Sequence, residues 1–284
     1  MADDIAGPSR PKRTKYARHT SLSDKELISI LEDDNVFASS SDDNIDCDDD
    51  SDFSCGGDDG DIHSLTKLDK EKVVDAHNAL RQAVALGYID GQPAASNMQE
   101  MVGVFLFFFF TFKNKFVINN LNLSQEWDDE LAYKAQAWAM SCNSEDHDPH
   151  RDIRRFRVGQ NIATFWTSRK PTSRTDTLPD FKKAINGWFK EVTFYNYNRI
   201  VGHAATGHYT QMVWADTNLV GCGYAFYYDA RKGYTKNYIC NYGVGGNIIT
   251  EYPYDKGYPG CRNYGLEYSR KWKGLCGNRR LFYG

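Results

Sequence analysis

The sequence has no apolar segment that is long enough to cross a lipid bilayer. Its longest apolar run, residues 102–112, has 11 residues, whereas a membrane-spanning helix needs about 20. The first residues, Met-Ala-Asp-Asp-Ile-Ala-Gly-Pro, also lack the basic and apolar regions of a secretory signal peptide. We therefore expect neither a transmembrane segment nor a signal peptide at Met1.

The sequence also lacks the short motifs that identify common catalytic sites. It contains no Gly-x-Ser-x-Gly, no His-Glu-x-x-His, no phosphate-binding loop and no Cys-x-x-Cys pair. These absences argue against a serine hydrolase with a nucleophile elbow, a zinc protease, a nucleotide hydrolase and a zinc ribbon. No other side chain stands out as a nucleophile, so the sequence favours a protein that is not an enzyme.

Positive charge is missing from one long stretch near the N-terminus. No lysine or arginine lies between Lys25 and Lys67, and residues 1–64 carry 17 Asp and Glu against 6 Lys and Arg. The rest of the chain carries 21 acidic and 28 basic side chains. A run so acidic and so poor in apolar residues does not bury enough surface to fold. We expect residues 1–64 to form a disordered acidic leader, with the folded part beginning at residue 65.

The folded part combines helical and strand patterns. Apolar residues recur at three- and four-residue spacing between Leu68 and Val84, and Gly87 follows as a stop signal. The other predicted elements are a helix at Trp127–Cys142, a strand at Gln160–Phe165, a helix at Asp180–Val192, and strands at about 219–227 and 236–242. Helices mixed with antiparallel strands indicate an α+β fold.

The seven cysteines are too scattered for a zinc module but suit a few disulfides. Two of them bracket a pair of predicted strands, and two more close a Tyr- and Gly-rich tail. In an oxidising compartment we expect the pairs Cys222 with Cys240 and Cys261 with Cys276. Cys142 has no obvious partner, because the remaining cysteines, Cys47 and Cys55, lie in the acidic leader.

Three motifs in the last third of the chain form a recognisable set. They are the octapeptide Gly207–Trp214, the triplet Gly221-Cys222-Gly223 and the run Cys240-Asn-Tyr-Gly243. Together they resemble the CAP superfamily of cysteine-rich secretory, antigen five and pathogenesis-related proteins, and most closely its insect venom-allergen branch. The resemblance implies a three-layer α-β-α sandwich, a CAP domain at residues 65–250, a C-terminal tail at residues 251–284 and an extracellular location.

The resemblance also implies a cavity lined by two histidines and two acidic residues. Its members here are His147, Gln160, Glu191 and His208. Many relatives have a glutamate where Gln160 stands, and an amide cannot act as a base. The set His147, Glu191 and His208 is chemically suited to a divalent metal, with Zn²⁺ the first candidate. Without the resemblance, His208 would be read as a packed core histidine.

Two other histidines need no functional role. His77 recurs with the apolar face of the first helix, which predicts a packed structural residue. His150 lies close to His147, but relatives often have cysteine there, so we expect His150 to be a surface residue.

Residues 102–125 interrupt the family pattern between its first two helices. Valine codons begin with GT, glutamine can be encoded by CAG, and the run of phenylalanines implies thymine-rich sequence. Removing Val102–Gln125 joins Met101 directly to Glu126 and restores the pattern. We therefore interpret residues 102–125 as a retained intron, with a lipid-facing hairpin as the alternative.

Three functions remain open at this stage. The first is a secreted, non-enzymatic protein that binds a protein partner or a small lipid- or sterol-like ligand. The second is a metal-dependent hydrolase that uses the same cavity. The third is an intracellular chimera, because residues 22–34 resemble the acidic leader of piggyBac-type transposases. We expect no nucleic-acid binding by the CAP domain.

Overall fold

The computed structural model describes residues 65–101, 127–143, 145–202 and 205–277. The helices in these ranges are α1 (Lys67–Ala85), α2 (Asp129–Met140), α3 (Arg174–Thr177), α4 (Phe181–Lys190) and α5 (Gly207–Met212), with 3₁₀ turns at Glu191–Phe194 and Cys261–Tyr264. The strands are β1 (Gly159–Thr167), β2 (Leu219–Asp229), β3 (Gly233–Gly243), β4 (Glu267–Tyr268) and β5 (Cys276–Gly277). The predictions for residues 1–64 and 102–125 lie outside the described residues.

The main sheet is antiparallel, with strand order β1-β3-β2. Helix α2 covers one face, where Ala135 and Ala139 pack on Ile239. Helices α1, α4 and α5 cover the other face and share the largest apolar core with β2 and β3. The predicted α+β fold with three α-β-α layers is therefore confirmed, and none of the described helices could cross a membrane.

Two glycines of the Gly-Cys-Gly triplet allow α2 to lie directly on β2. A Cβ atom at Gly221 would lie 2.3 Å from the backbone nitrogen of Ala132, and one at Gly223 would lie 2.3 Å from that of Gln136. Gln136 then closes the edge of β2, since its side chain accepts from the backbone N–H of Tyr224 and donates to its carbonyl. The triplet is thus a contact motif, with glycines toward α2 and a cysteine toward the opposite face.

The two predicted disulfides are present. Cys222 is bonded to Cys240 across β2 and β3, and Cys261 is bonded to Cys276. The expectation that Cys142 has no obvious partner needs correction, because Cys142 is also disulfide-bonded. The four cysteines just named pair with each other, so the partner of Cys142 lies outside the described residues.

Most of the predicted elements are found, with small shifts at their ends. Helix α1 begins after a capping box, in which Thr66 and Asp69 hydrogen-bond each other's backbone N–H. Helix α4 ends at Lys190, two residues before the predicted end. The short helices α3 and α5 were not predicted, since four and six residues carry too little periodicity to distinguish a helix.

The tail that begins at residue 251 packs against the helical layers. Tyr254 and Leu275 are buried in the main apolar core. The backbone N–H of Glu100 donates to the carbonyl of Cys276, and that of Cys276 donates to the carbonyl of Met98. Residues 251–277 therefore support the segment that follows α1.

Candidate functional site

Glu191 and His208 form a closely packed pair between α4 and α5. Oε1 of Glu191 lies 2.6 Å from Nδ1 of His208, and the two side chains are 20% and 37% exposed. The Trp188 ring, one turn before Glu191, stacks on the imidazole at a centroid distance of 6.3 Å. In the tautomer that donates the Nδ1 proton to the carboxylate, Nε2 is the nitrogen that can accept a proton.

Glu191 also caps the helix that carries its partner. Its Oε2 accepts hydrogen bonds from the backbone N–H groups of His208 and Tyr209, at 3.0 and 3.1 Å. Thr206, at the cap position of α5, makes no side-chain cap of its own. A single carboxylate therefore fixes both the first turn of α5 and the orientation of the imidazole.

His147 and Gln160 form the second pair of the predicted cavity. Oε1 of Gln160 accepts from Nδ1 of His147 and from the backbone N–H of Asp148, both at 3.0 Å, and Nε2 donates to Oδ1 of Asn241 at 2.9 Å. Gln160 is buried, whereas His147 is exposed. His150 lies on the surface, as predicted.

The two pairs are supported from opposite faces of β1. Gln160 points toward the α2 side, where Asn241 in turn donates to the carbonyl of Leu131. The next residue, Asn161, points the other way and donates to the backbone carbonyl of His208 at 3.1 Å. His147 and His208 are therefore linked to adjacent residues of β1, Gln160 and Asn161, but each histidine is held by its own partner.

The donor set does not form a three-ligand metal site. Across the described ranges, no three His, Cys, Asp or Glu side chains are arranged so that they could hold a metal ion. The oxygen atoms of Glu191 are already used by His208 and by the α5 backbone. The set His147, Glu191 and His208 thus does not fit the three protein ligands that a zinc site requires.

A buried hydrogen-bond chain links His208 to the core of α1. Asn161 also donates to the hydroxyl of Tyr242, which lies 3.0 Å from Nε2 of His77, and Nδ1 of His77 lies 2.7 Å from the carbonyl of Val73. His77 is fully buried, and this desolvation lowers its pKa from 6.5 to about 4. The prediction of a packed structural histidine is confirmed, and the ring is neutral at physiological pH.

Arg81 is the most important residue whose role the sequence did not reveal. It is fully buried, and its guanidinium donates to the carbonyls of Gln99, Met212, Trp214, Ala215 and Thr217. Burial lowers its pKa to about 9, which still leaves it protonated at neutral pH. Its four-residue spacing from His77 on α1 was the available signal, since both residues lie on the buried face.

Segment 244–250 carries exposed apolar side chains beside α5. The Asn247 amide holds this segment, donating to the carbonyl of Gly207 at 2.8 Å and accepting from the hydroxyl of Thr210 at 2.7 Å. The next two residues, Ile248 and Ile249, are 45% and 63% exposed. The segment therefore presents apolar surface next to the first turn of α5, which contains His208.

One more exposed apolar residue lies beside this segment, and another follows Glu191 along the chain. The backbone N–H of Ile200 donates to Glu251 and its carbonyl accepts from Thr250, which places the 78% exposed Val201 beside residue 249. Phe194, three residues after Glu191, is 79% exposed. We refer to Phe194, Val201, Ile248 and Ile249 as the apolar rim.

A groove of about 380 Å³ adjoins the apolar rim. Its walls include Arg199, Trp214, Thr250, Glu251 and Tyr254. Arg199 and Thr250 belong to the two segments that hydrogen-bond at Ile200, and the same two segments carry Val201 and Ile249 of the rim. None of the four predicted cavity residues lines it. Asp216, Glu251 and Asp255 also line it, so the groove beside the rim is mainly polar and has some aromatic side chains.

Comparison with known proteins agrees with this architecture. The profile of the cysteine-rich secretory protein family matches residues 74–242. Venom allergen 5 of Polybia paulista is 37% identical over 194 residues, which are 65% of this chain and 78% of that protein. Salivary antigen-5 of Triatoma infestans is 31% identical over 233 residues, which are 76% of this chain and 83% of that protein.

Solved structures share the same fold. The structure of NaASP2 with Zn²⁺ has a TM-score of 0.53 and 25% identity, covering 75% of this chain and 97% of that one. BmVAL-1 has a TM-score of 0.58 and 22% identity, covering 80% of this chain and all of that one. The family profile and the venom allergen 5 relatives lead to one conclusion: this chain belongs to the CAP, or cysteine-rich secretory protein, family.

Proposed function

We propose that this chain is a secreted, non-enzymatic binding protein of the venom-allergen kind. Its ligand would be a protein partner or a small apolar, sterol-like molecule that contacts the apolar rim. The observation that carries this proposal is the exposure of four apolar side chains in the segments that follow Glu191 and flank α5, two of which, Val201 and Ile249, lie within two residues of groove residues in sequence. Contiguous exposed apolar surface next to a concave site is typical of ligand and partner binding.

The burial available at the rim is large enough to matter for affinity. Covering a branched apolar side chain contributes about 1.5 to 3 kcal/mol when it is complete, and Val201 and Ile249 are both more than half exposed. A ligand that covered these two side chains would therefore gain a substantial part of a micromolar binding energy. Arg199, at the groove wall, can orient a polar end of such a ligand.

The proposal is tested by energy transfer from the protein's tryptophans to dehydroergosterol, an intrinsically fluorescent sterol. The double variant Val201→Ser and Ile249→Ser should weaken binding about tenfold, or about 1.4 kcal/mol. The matched control is Leu68→Ser with Tyr133→Ser, which removes two exposed apolar side chains elsewhere. Equal losses in both double variants, or no sterol binding by the wild type, would contradict the proposal for this ligand class.

Secretion is supported by the two disulfides and by the relatives. Structural disulfides persist in oxidising compartments and are rare in the cytosol. The similar proteins are described as venom and salivary proteins. Non-reducing peptide mapping of the native protein tests this point, because free thiols at Cys222 and Cys240 would favour the intracellular chimera instead.

Hydrolysis is the second candidate, and the 2.6 Å contact between Glu191 and His208 favours it. A carboxylate that holds Nδ1 leaves Nε2 oriented to take a proton from water. The metal-dependent form finds no three-ligand donor set, so we derive no step through a metal. Hydrolysis of p-nitrophenyl acetate tests this candidate. Activity that is lost in His208→Ala but kept in His150→Ala would support an enzyme, whereas equal rates in both variants would exclude hydrolysis at His208.

A further inference from the structure

One end of the main sheet carries a large excess of positive charge. It comprises the end of β1, the connection to α4 with the first turn of α4, and the turn between β2 and β3. These parts come together through Lys183 over the Phe165 ring at 4.4 Å and Lys232 over the Trp166 ring at 5.7 Å. We refer to it as the basic end, and its basic residues are Arg169, Lys170, Arg174, Lys182, Lys183, Arg231, Lys232 and Lys236.

Only three carboxylates lie in the same stretches, and all three hydrogen-bond backbone N–H groups. Asp176 accepts from the backbone of Thr172 and Ser173. Asp180 caps the first turn of α4, and Asp229 accepts from the backbone N–H groups of Arg231 and Lys232 in the β2–β3 turn. Asp229 also pairs with Arg231 at 3.9 Å, but eight basic side chains against three carboxylates still give these stretches a net positive charge.

Exposed aromatic rings lie among these charges. Trp166 is 59% exposed and Tyr228 is 46% exposed. The Tyr228 ring packs edge-on against Tyr234 across the β2–β3 turn. A surface of this composition favours an acidic polypeptide, which can pair its carboxylates with the lysines and arginines and pack its backbone on the rings.

Cys142 is located next to the basic end. Its carbonyl accepts a hydrogen bond from the hydroxyl of Tyr227, two residues before the end of β2. In the same loop Glu145 pairs with Lys232 at 3.0 Å. Two strand residues span about 7 Å, so a chain attached at Cys142 begins beside the basic end.

The disulfide partner of Cys142 follows by elimination. The chain has seven cysteines, and four of them form the two pairs given above. Cys142 is itself disulfide-bonded. Within one chain, only Cys47 and Cys55 remain, and both belong to the Asp-rich stretch 42–61.

We propose that the basic end is the docking surface for residues 42–61 of the same chain, which a disulfide from Cys142 to Cys47 or Cys55 holds in place. This stretch contains ten aspartates and no lysine or arginine. Ten extended residues span about 33 Å, so either cysteine brings the aspartates around it within reach of the whole surface. The tether raises the local concentration of the acidic stretch to about the millimolar range, which favours it over an external polyanion.

The direct test is carbodiimide cross-linking of the full chain, which joins carboxylates to lysine amines in contact, followed by non-reducing peptide mapping. Cross-links from residues 42–61 should concentrate on Lys170, Lys182, Lys183, Lys232 and Lys236, and they should fall several-fold in 0.5 M salt, where charges are screened beyond roughly 4 Å. Cross-links spread equally to Lys190, Lys256 and Lys273 would overturn the proposal. So would a disulfide map in which Cys142 pairs with neither Cys47 nor Cys55.

A heparin column separates intramolecular docking from a surface for external polyanions. Changing Asp48, Asp49 and Asp50 to Asn should raise the salt needed for elution, because the basic end becomes accessible. Adding Lys182→Gln and Lys183→Gln should remove that gain, whereas the matched control pair Lys256→Gln and Lys273→Gln should not. Unchanged elution after the Asn changes, or equal effects of both lysine pairs, would contradict docking.

Discussion

His208 and His147 occupy corresponding halves of the predicted cavity, yet they are held in different ways. His208 hydrogen-bonds a carboxylate that also caps α5, and it packs on Trp188. His147 is exposed and hydrogen-bonds the amide of Gln160. The first histidine is partly buried between two helices, whereas the second belongs to a surface loop. Two residues that a family motif places in one site can thus differ in burial and in hydrogen-bond partners.

The two histidines also differ in the residues beyond their direct hydrogen-bond partners. Asn161 and Tyr242 connect the backbone of His208 with His77 on α1, and all three residues are fully or almost fully buried. Gln160 connects His147 with Asn241 and α2. The comparison therefore predicts that substitutions on the α1 side lower the free energy of unfolding more than substitutions on the α2 side.

The largest expected effect is a loss of stability in acid that depends on His77. Its folded pKa of about 4 lies below the reference value of 6.5, so between these values the unfolded state binds more protons than the folded state. Stability from this group is complete above pH 6.5 and falls by roughly 3 kcal/mol as the pH drops to 4. Urea unfolding across this range should show that slope in the wild type and in His150→Ala, and a much flatter one in His77→Asn. An unchanged slope in His77→Asn would mean that another group controls the transition.

The second effect compares the two partners directly. Glu191→Ala removes three accepted hydrogen bonds, including the cap of α5, and should lower the free energy of unfolding by about 2 kcal/mol. Gln160→Ala should cost about 1 kcal/mol, because part of what it holds is an exposed loop. Urea unfolding at pH 7 measures both. If Gln160→Ala lowered the free energy of unfolding as much as Glu191→Ala or more, the proposed difference between the His208 pair and the His147 pair would be contradicted.

The third effect concerns residues 102–125, which connect the two supporting layers. Met101 exchanges two hydrogen bonds with Asn78 on α1, and Asp128 caps α2 and donates its N–H to Val220. Both flanks are thus hydrogen-bonded to the core, and the interpretation of residues 102–125 as a retained intron stays a prediction. Deleting Val102–Gln125 should raise stability by about 1 kcal/mol, since a shorter loop costs less entropy to close. Thermal unfolding of the deletion variant measures this, and a lower unfolding temperature than that of the full chain would contradict the predicted gain in stability.

The smallest effect tests why an amide occupies position 160. Gln160 both accepts from Asp148 and donates to Asn241, whereas a carboxylate only accepts. Gln160→Glu should therefore destabilise the protein by less than about 1 kcal/mol at pH 7, and by less still in acid, where a protonated glutamate can donate. Urea unfolding against the wild type at the same pH values measures this. A variant more stable at pH 7 than the wild type would show that the donor to Asn241 is not needed.

The sequence predicted the layers better than it predicted the site. Periodicity located α1, α2, α4 and the three main strands, because each is long enough to show its buried face. The Gly-Cys-Gly triplet marked β2, but not that its glycines accommodate α2. Helix α5 is too short for periodicity, and its cap comes from Glu191, which precedes it by 16 residues.

The site itself depends on contacts that no local pattern encodes. The octapeptide marked His208, but the Glu191 contact and the apolar rim arise where four separate segments meet. Arg81 belonged to a recognised run on α1, yet its five carbonyl partners come from residues 99 and 212–217, which only folding brings together. Family resemblance named the four cavity residues, whereas their division into two separately supported pairs needed the structure.

The measurement that tests the central claim most directly is methyl NMR of the full chain, labelled at isoleucine and valine and titrated with cholesteryl sulfate. The account predicts that the methyl signals of Val201, Ile248 and Ile249 shift together in a saturable way, because these side chains form the exposed rim beside His208. The buried methyls of Val73 and Val84 on α1 should stay in place. Unchanged rim signals, with or without shifts elsewhere, would contradict a sterol-like ligand at this surface.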